Sequence, residues 1–153
     1  MPKPPKSTTS SSGALGAAEA LQAAMDAEMA GVALYTHLSM RVFGPQFLGI
    51  TGHLRAQAAE SLTHALAVGD RMTMLGASPR VRVKEIEATS PGSLDEILRI
   101  SLVHEKRAVE RYRAVMEAAV AAGDIALEEY ARGMVATETD HAAELEKMLR
   151  PMR

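Results

Sequence analysis

A carboxylate and an imidazole stand three positions apart in Glu138-Thr139-Asp140-His141. On a helix that spacing puts both side chains on one face, aimed at one point. The surrounding apolar positions, Leu127, Tyr130, Met134, Leu145 and Met148, recur in steps of three and four. Glu138 and His141 therefore belong to the stripe that faces the core. Burying an ionised carboxylate is costly unless something compensates it. A metal ion would do so. For this pair taken alone, a buried His hydrogen-bonded to its neighbouring Glu would serve equally well.

The pair is not alone. Glu28 interrupts the stripe of Leu21, Met25, Val32, Tyr35, Leu38 and Val42, and Tyr35 follows it two turns later on the same face. Glu105 interrupts Ile97, Ser101, Ala108, Tyr112, Val115 and Ala119. His64 falls on or beside a fourth stripe, Ile50, Leu54, Ala58, Ser61, Val68 and Met72, with Glu60 one turn before it and about 40° round the helix. Three carboxylates in one core repel each other without cations between them. Oxygen and nitrogen donors without sulfur suit iron or manganese, with zinc as a competitor.

Four helical segments must carry these residues. The first runs from Ala14 to about Phe43, where Gly44-Pro45 breaks it and opens the second. The second reaches about Gly76. A long connection follows, from Ala77 to Pro91, with a short extended piece expected at Val81-Arg82-Val83. Ser93-Leu94-Asp95-Glu96 is a capping box that opens the third helix. Gly123 stops that helix, and Asp124 caps a fourth that ends near Pro151. Two short turns and one long crossover between helices 2 and 3 describe an all-α four-helix bundle in which helix 3 lies parallel to helix 2. Residues 1–13, rich in Pro, Ser, Thr and Lys, read as a disordered N-terminal tail, and residues 14–153 as the bundle.

Composition narrows the classes. The chain has 153 residues, 47% of them hydrophobic but only 3% aromatic, which fits one helical domain with a sizeable core. A net charge of -2 gives no reason to expect nucleic acid, so the Arg80, Arg82 and Lys84 cluster reads as solvated. The absence of cysteine excludes disulfides, thiolate zinc sites and Fe–S clusters, and is compatible with a cytoplasmic location. There is neither an apolar run long enough to span a membrane nor a signal-peptide pattern. His37 and His53 read as half-exposed, and His104 as turned off the seam.

From about residue 15 to 150 the chain resembles the bacterioferritin branch of the ferritin-like superfamily. Glu28 with Tyr35, His64-Ala65 with Asp70-Arg71-Met72 and Leu75-Gly76, Glu105, and Glu138-x-x-His141 are similar to that family's motifs in order and type. The resemblance implies a di-iron ferroxidase centre that oxidises Fe(II) with O2 or H2O2, with Tyr35 as a redox or hydrogen-bonding residue, and iron storage or detoxification as the outcome. A rubrerythrin-like peroxidase, a manganese catalase and a metal-poor assembly protein are the alternatives. Three departures stand out. The second-helix Glu of the family is replaced by Ser61. Glu28, Glu105 and Glu138 alone leave two ferrous ions one negative charge short, so Glu60 is expected as the substitute ligand. Leu62 stands where the haem-binding Met of the family lies, so no haem is expected by that route. Few residues follow His141, leaving no room for a fifth helix, so a homo-oligomer is expected, a dimer at least, with a twelve-subunit Dps-like cage favoured over one of 24.

Overall fold

The structure, a computed structural model, describes residues 9–45, 47–83 and 90–151. Four helices follow one another: α1 (Thr9–Ser39), α2 (Phe47–Met74), α3 (Leu94–Ala122) and α4 (Ile125–Met148). The all-α bundle expected from the pattern is what forms, with α1 packed on α2 and on α3, and α3 on α4. Contacts fix the directions. Glu28 meets Tyr112 while Tyr35 meets Glu105, so α1 and α3 run antiparallel. Glu28 meets His64 while Gly31 meets Ser61, so α1 and α2 run antiparallel, and Tyr112 meets Tyr130 while Lys106 meets Glu146, so α3 and α4 do too. It follows that α2 and α3 are parallel, the arrangement the long crossover permits.

Helix boundaries differ from the sequence reading at two places. α1 begins at Thr9, inside the stretch read as a tail, and residues 1–8 lie outside the described ones. It ends at Ser39 rather than near Phe43. There Met40 N–H and Arg41 N–H bond back to the carbonyls of His37 and Leu38, a tightening that closes the last turn. The α3 start follows the capping box only in part. Ser93 Oγ accepts from Glu96 N–H at 3.2 Å, but the Glu96 carboxylate accepts from Gly92 N–H at 2.5 Å, one residue earlier than the box requires. Gly123 takes φ 70°, which a residue without Cβ adopts freely, and its N–H returns to the carbonyls of Ala119 and Val120. Asp124 caps α4 by accepting from Leu127 N–H at 3.0 Å.

The crossover is pinned where it leaves α2. Gln22 on α1 donates to the Arg80 carbonyl and accepts from Arg80 N–H, both at 2.9 Å, and Arg82 lies 3.8 Å from Asp26. Val81-Arg82-Val83 carries no regular secondary structure, and Lys84 lies outside the described residues. No described helix is long and apolar enough to cross a membrane.

The core divides into two apolar layers. One, built around Leu21, Met25, Val68, Met72, Val115 and Leu127, fills the end near the α3–α4 turn. The other, Tyr35, Leu38, Val42, Leu54 and Ile97, fills the opposite end. Glu28, Glu105 and Glu138 lie between them, each no more than 4% exposed. The bundle thus holds a charged layer between two dry ones.

Candidate metal centre

Each helix delivers one part of that layer. The stripe of α1 brings Glu28, that of α3 brings Glu105, α4 brings Glu138 and His141, and α2 brings His64. Their donor atoms form two triads, each with all atoms within 4.8 Å of one another: Glu28, His64 and Glu138; and Glu105, Glu138 and His141. Glu138 belongs to both. Its Oε1 lies 3.1 Å from His64 Nδ1 and its Oε2 lies 3.4 Å from His141 Nδ1. His64 Nδ1 also lies 3.4 Å from Glu28, and His141 Nδ1 lies 3.7 Å from Glu105. The five residues expected from the stripes converge, and they do so as two adjacent sets with one shared carboxylate.

A reciprocal pair of tyrosines holds the outer carboxylates. Tyr112 of α3 donates to Glu28 of α1 at 2.7 Å, while Tyr35 of α1 donates to Glu105 of α3. Both rings are 1% exposed. The sequence alone points to Tyr35 and places Tyr112 among the core positions. The spacing that could have found it was present: Glu28 to Tyr35 and Glu105 to Tyr112 are both seven residues, two turns, on helices that run in opposite directions.

The electrostatics follow from burial against pairing. Burial pulls His64 down, but Glu138 and Glu28 outweigh it and push the imidazole up to about 10. Glu105 and Glu138 raise His141 to about 10 against a smaller burial effect. Burial raises Glu28, and the bonds from His64 and Tyr112 offset only part of this. Burial acts on Glu138 in the same direction, yet His141, His64 and Glu105 hold it down at about 2. Burial and the adjacent carboxylates drive both Tyr35 and Tyr112 upward, so each remains a phenol that donates. The two protonated imidazoles occupy the places of cations among the carboxylates. Even so, Glu138 Oε1 is buried with no hydrogen bond, because His64 Nδ1 is near it but not aligned. An orphaned carboxylate oxygen inside a ring of oxygen and nitrogen donors fits a divalent cation.

Four more residues line the same cavity: Gln57, Glu60, Ser61 and His104. Glu60 is in neither triad. Its Oε1 lies 3.9 Å from His64 Nε2 and 3.5 Å from His141 Nε2, on the far side of both rings, and its side chain is 39% exposed. His104 does not turn off the seam as expected. Its ring meets that of Tyr35 edge-on at 5.5 Å and its Nε2 lies over Gly31. An alanine at 31 would put Cβ 2.6 Å from that nitrogen. The α1 backbone is bare at this point, and that lets the imidazole in.

A family profile described as the ferritin-like domain matches residues 18–153. The chain belongs to that family. Bacterial non-heme ferritins from Escherichia coli O157:H7 and Shigella flexneri are each 28% identical to this ferritin-like chain over 102 residues, 67% of its length. The match spans 62% of those relatives. A Dps protein from Bacillus brevis superimposes with a TM-score of 0.83 at 19% identity, covering 91% of the ferritin-like chain and 98% of its own. A Desulfovibrio desulfuricans bacterioferritin, described with a diiron site in different catalytic states, gives 0.82 at 17% identity, covering 92% and 81%. A ferritin-like diiron-carboxylate protein from Bacillus anthracis gives 0.79 at 23%, covering 90% and 98%. At these identities the structural likeness establishes the shared fold. The two triads belong to this chain's own geometry.

Proposed function

We propose that this ferritin-like chain is a ferroxidase that binds two ferrous ions side by side and oxidises them, in the service of iron storage or detoxification. The observation that carries the proposal is the pair of triads sharing Glu138. One ion is held by Glu28, His64 and Glu138, the other by Glu105, Glu138 and His141, and the common carboxylate keeps them adjacent. Adjacent ions suit a two-electron oxidant. Each Fe(II) gives up one electron; O2 takes two electrons and two protons to leave as H2O2, or H2O2 takes two electrons and two protons to leave as two molecules of water. Manganese and zinc fit the same donors. The relatives, a diiron-carboxylate protein and bacterial non-heme ferritins, favour iron.

The chain's own groups do the positioning. Tyr112 and Tyr35 fix the outer carboxylates through their hydroxyl groups, and the apolar layers above and below keep water from screening the charges. His64 and His141 give up protons as the cations arrive. Glu60, the expected substitute for a ligand at position 61, faces the outer nitrogens of both imidazoles. From there it orients both rings and offers a carboxylate to an incoming cation at the half-exposed side of the site. Tyr35, buried against Glu105, is the candidate redox side chain.

Anaerobic addition of Fe(II) followed by oxygen tests the reading. The expected result is two ions bound per chain and rapid oxidation, both lost in Glu138→Ala. Full ferroxidation by that variant would end the proposal, and catalase or peroxidase turnover without ferric mineral would redirect it to those activities. We also propose that the chain functions as a homo-oligomer, a dimer at least.

A further inference from the structure

The two triads leave one place unfilled. Each triad would offer its ion three side chains, one of them shared, although iron, cobalt and manganese ordinarily take more. α2 contributes only His64 to either triad, since position 61, three residues before it, is a serine. Ser61 is buried in the wall of the cavity, and its side chain offers it a neutral hydroxyl and no carboxylate.

A donor from another helix stands beside that hydroxyl. His104 Nε2 and Ser61 Oγ converge over Gly31, at 2.6 and 2.7 Å from the position a Cβ there would occupy. His104 Cε1 is 3.2 Å from the same point. Only glycine at 31 leaves room for both groups. His104 lines the same cavity as the five triad residues and is half-buried, with its Nε2 beside the Ser61 hydroxyl over Gly31. Outside it lies a surface pocket of about 440 Å³ with Arg99 and Arg107 in its wall. Two guanidinium groups disfavour a cation on that side, so a cation meets His104 from within the cavity.

We propose that His104 is a further metal-binding side chain of this centre, taking from α3 the coordination place that α2 leaves empty at Ser61, with Gly31 as the residue that admits it. The inference rests on the metal-centre reading above and goes beyond it in naming a ligand.

The test is anaerobic titration of the full chain with Co(II), read by ligand-field absorption, ion stoichiometry and affinity. His104→Ala is expected to weaken one of the two ions about tenfold or more and to change the bands of that ion alone. Gly31→Ala, which displaces the imidazole, should reproduce this effect. Adding Ser61→Glu to His104→Ala should restore the lost affinity, because a carboxylate then fills the same place. Circular dichroism establishes that each variant is folded. Wild-type affinity and bands in His104→Ala would overturn the inference, and so would failure of Ser61→Glu to rescue it. Glu138→Ala separates the role of His104 from the metal centre itself. If it abolishes Co(II) binding while His104→Ala changes nothing, only the role of His104 falls. If it retains both ions, the metal-centre reading falls as well.

Discussion

Replacing Glu138 by Gln keeps the shape of the side chain and removes the one charge that both triads use. With Oε1 3.1 Å from His64 Nδ1 and Oε2 3.4 Å from His141 Nδ1, each contact corresponds to roughly 5 kcal/mol of Coulomb attraction at an effective dielectric of about 20. Desolvation offsets much of this, and breaking a buried pair costs about 3–5 kcal/mol in practice. The low end applies, because Glu28 remains 3.4 Å from His64 and Glu105 remains 3.7 Å from His141. The metal-free variant should therefore unfold at lower urea concentration, by about 3 kcal/mol. The difference depends on pH in a defined way. Glu138, held at about 2, contributes stability that is present above its unfolded value near 4.3 and lost as pH falls through about 2. His64 and His141, raised to about 10, contribute stability that is complete below their unfolded value near 6.5 and lost as pH rises through about 10. The gap between wild type and variant is thus widest between about pH 4.5 and 6.5. With metal the contrast is one of number. Glu138→Gln should hold neither ion tightly, whereas Glu28→Gln and Glu105→Gln should each keep the ion of the other triad. Two tight ions in Glu138→Gln, or a stability gap that does not change between pH 5.5 and 10.5, would refute the reasoning.

Metal uptake should release protons, because His64 and His141 stay protonated to about pH 10 without metal. Affinity should fall as pH is lowered, by calorimetry in buffers of different ionisation enthalpy. Tyr112→Phe removes the 2.7 Å bond to Glu28 and should cost about 1–3 kcal/mol of stability. It should also weaken the Glu28-side ion about tenfold, leaving the other unchanged in a metal titration. Glu60→Gln should keep two ions at an affinity reduced about tenfold, because the carboxylate faces the outer nitrogens of both rings. Loss of one whole ion would instead make Glu60 a direct ligand. Sedimentation should give a species larger than the 16.3 kDa chain, since Phe43, Leu48, Leu66, Met74 and Ile125 are each more than 60% exposed.

Much of this arrangement was legible in the residues alone. Heptad-like stripes interrupted by Glu28, Glu105, Glu138 and His141 mark charges on core faces, since the period of a helix decides which side chains share a face. Caps and breakers at Ser93, Gly123 and Asp124 act within one turn of chain, so their roles could be read locally. What the tertiary structure decided depends on distances between helices. Only the packed bundle makes Glu138 common to two triads, hands Tyr112 to Glu28 and Tyr35 to Glu105, and turns Glu60 towards the outer nitrogens. His104 is the sharpest case. One step from Glu105, it lies 100° round α3 and reads as facing away, yet it lines the cavity because the α1 backbone opposite it is a glycine. Periodicity along one helix carries no information about how closely another helix approaches. That approach is set by the size of the side chains between them.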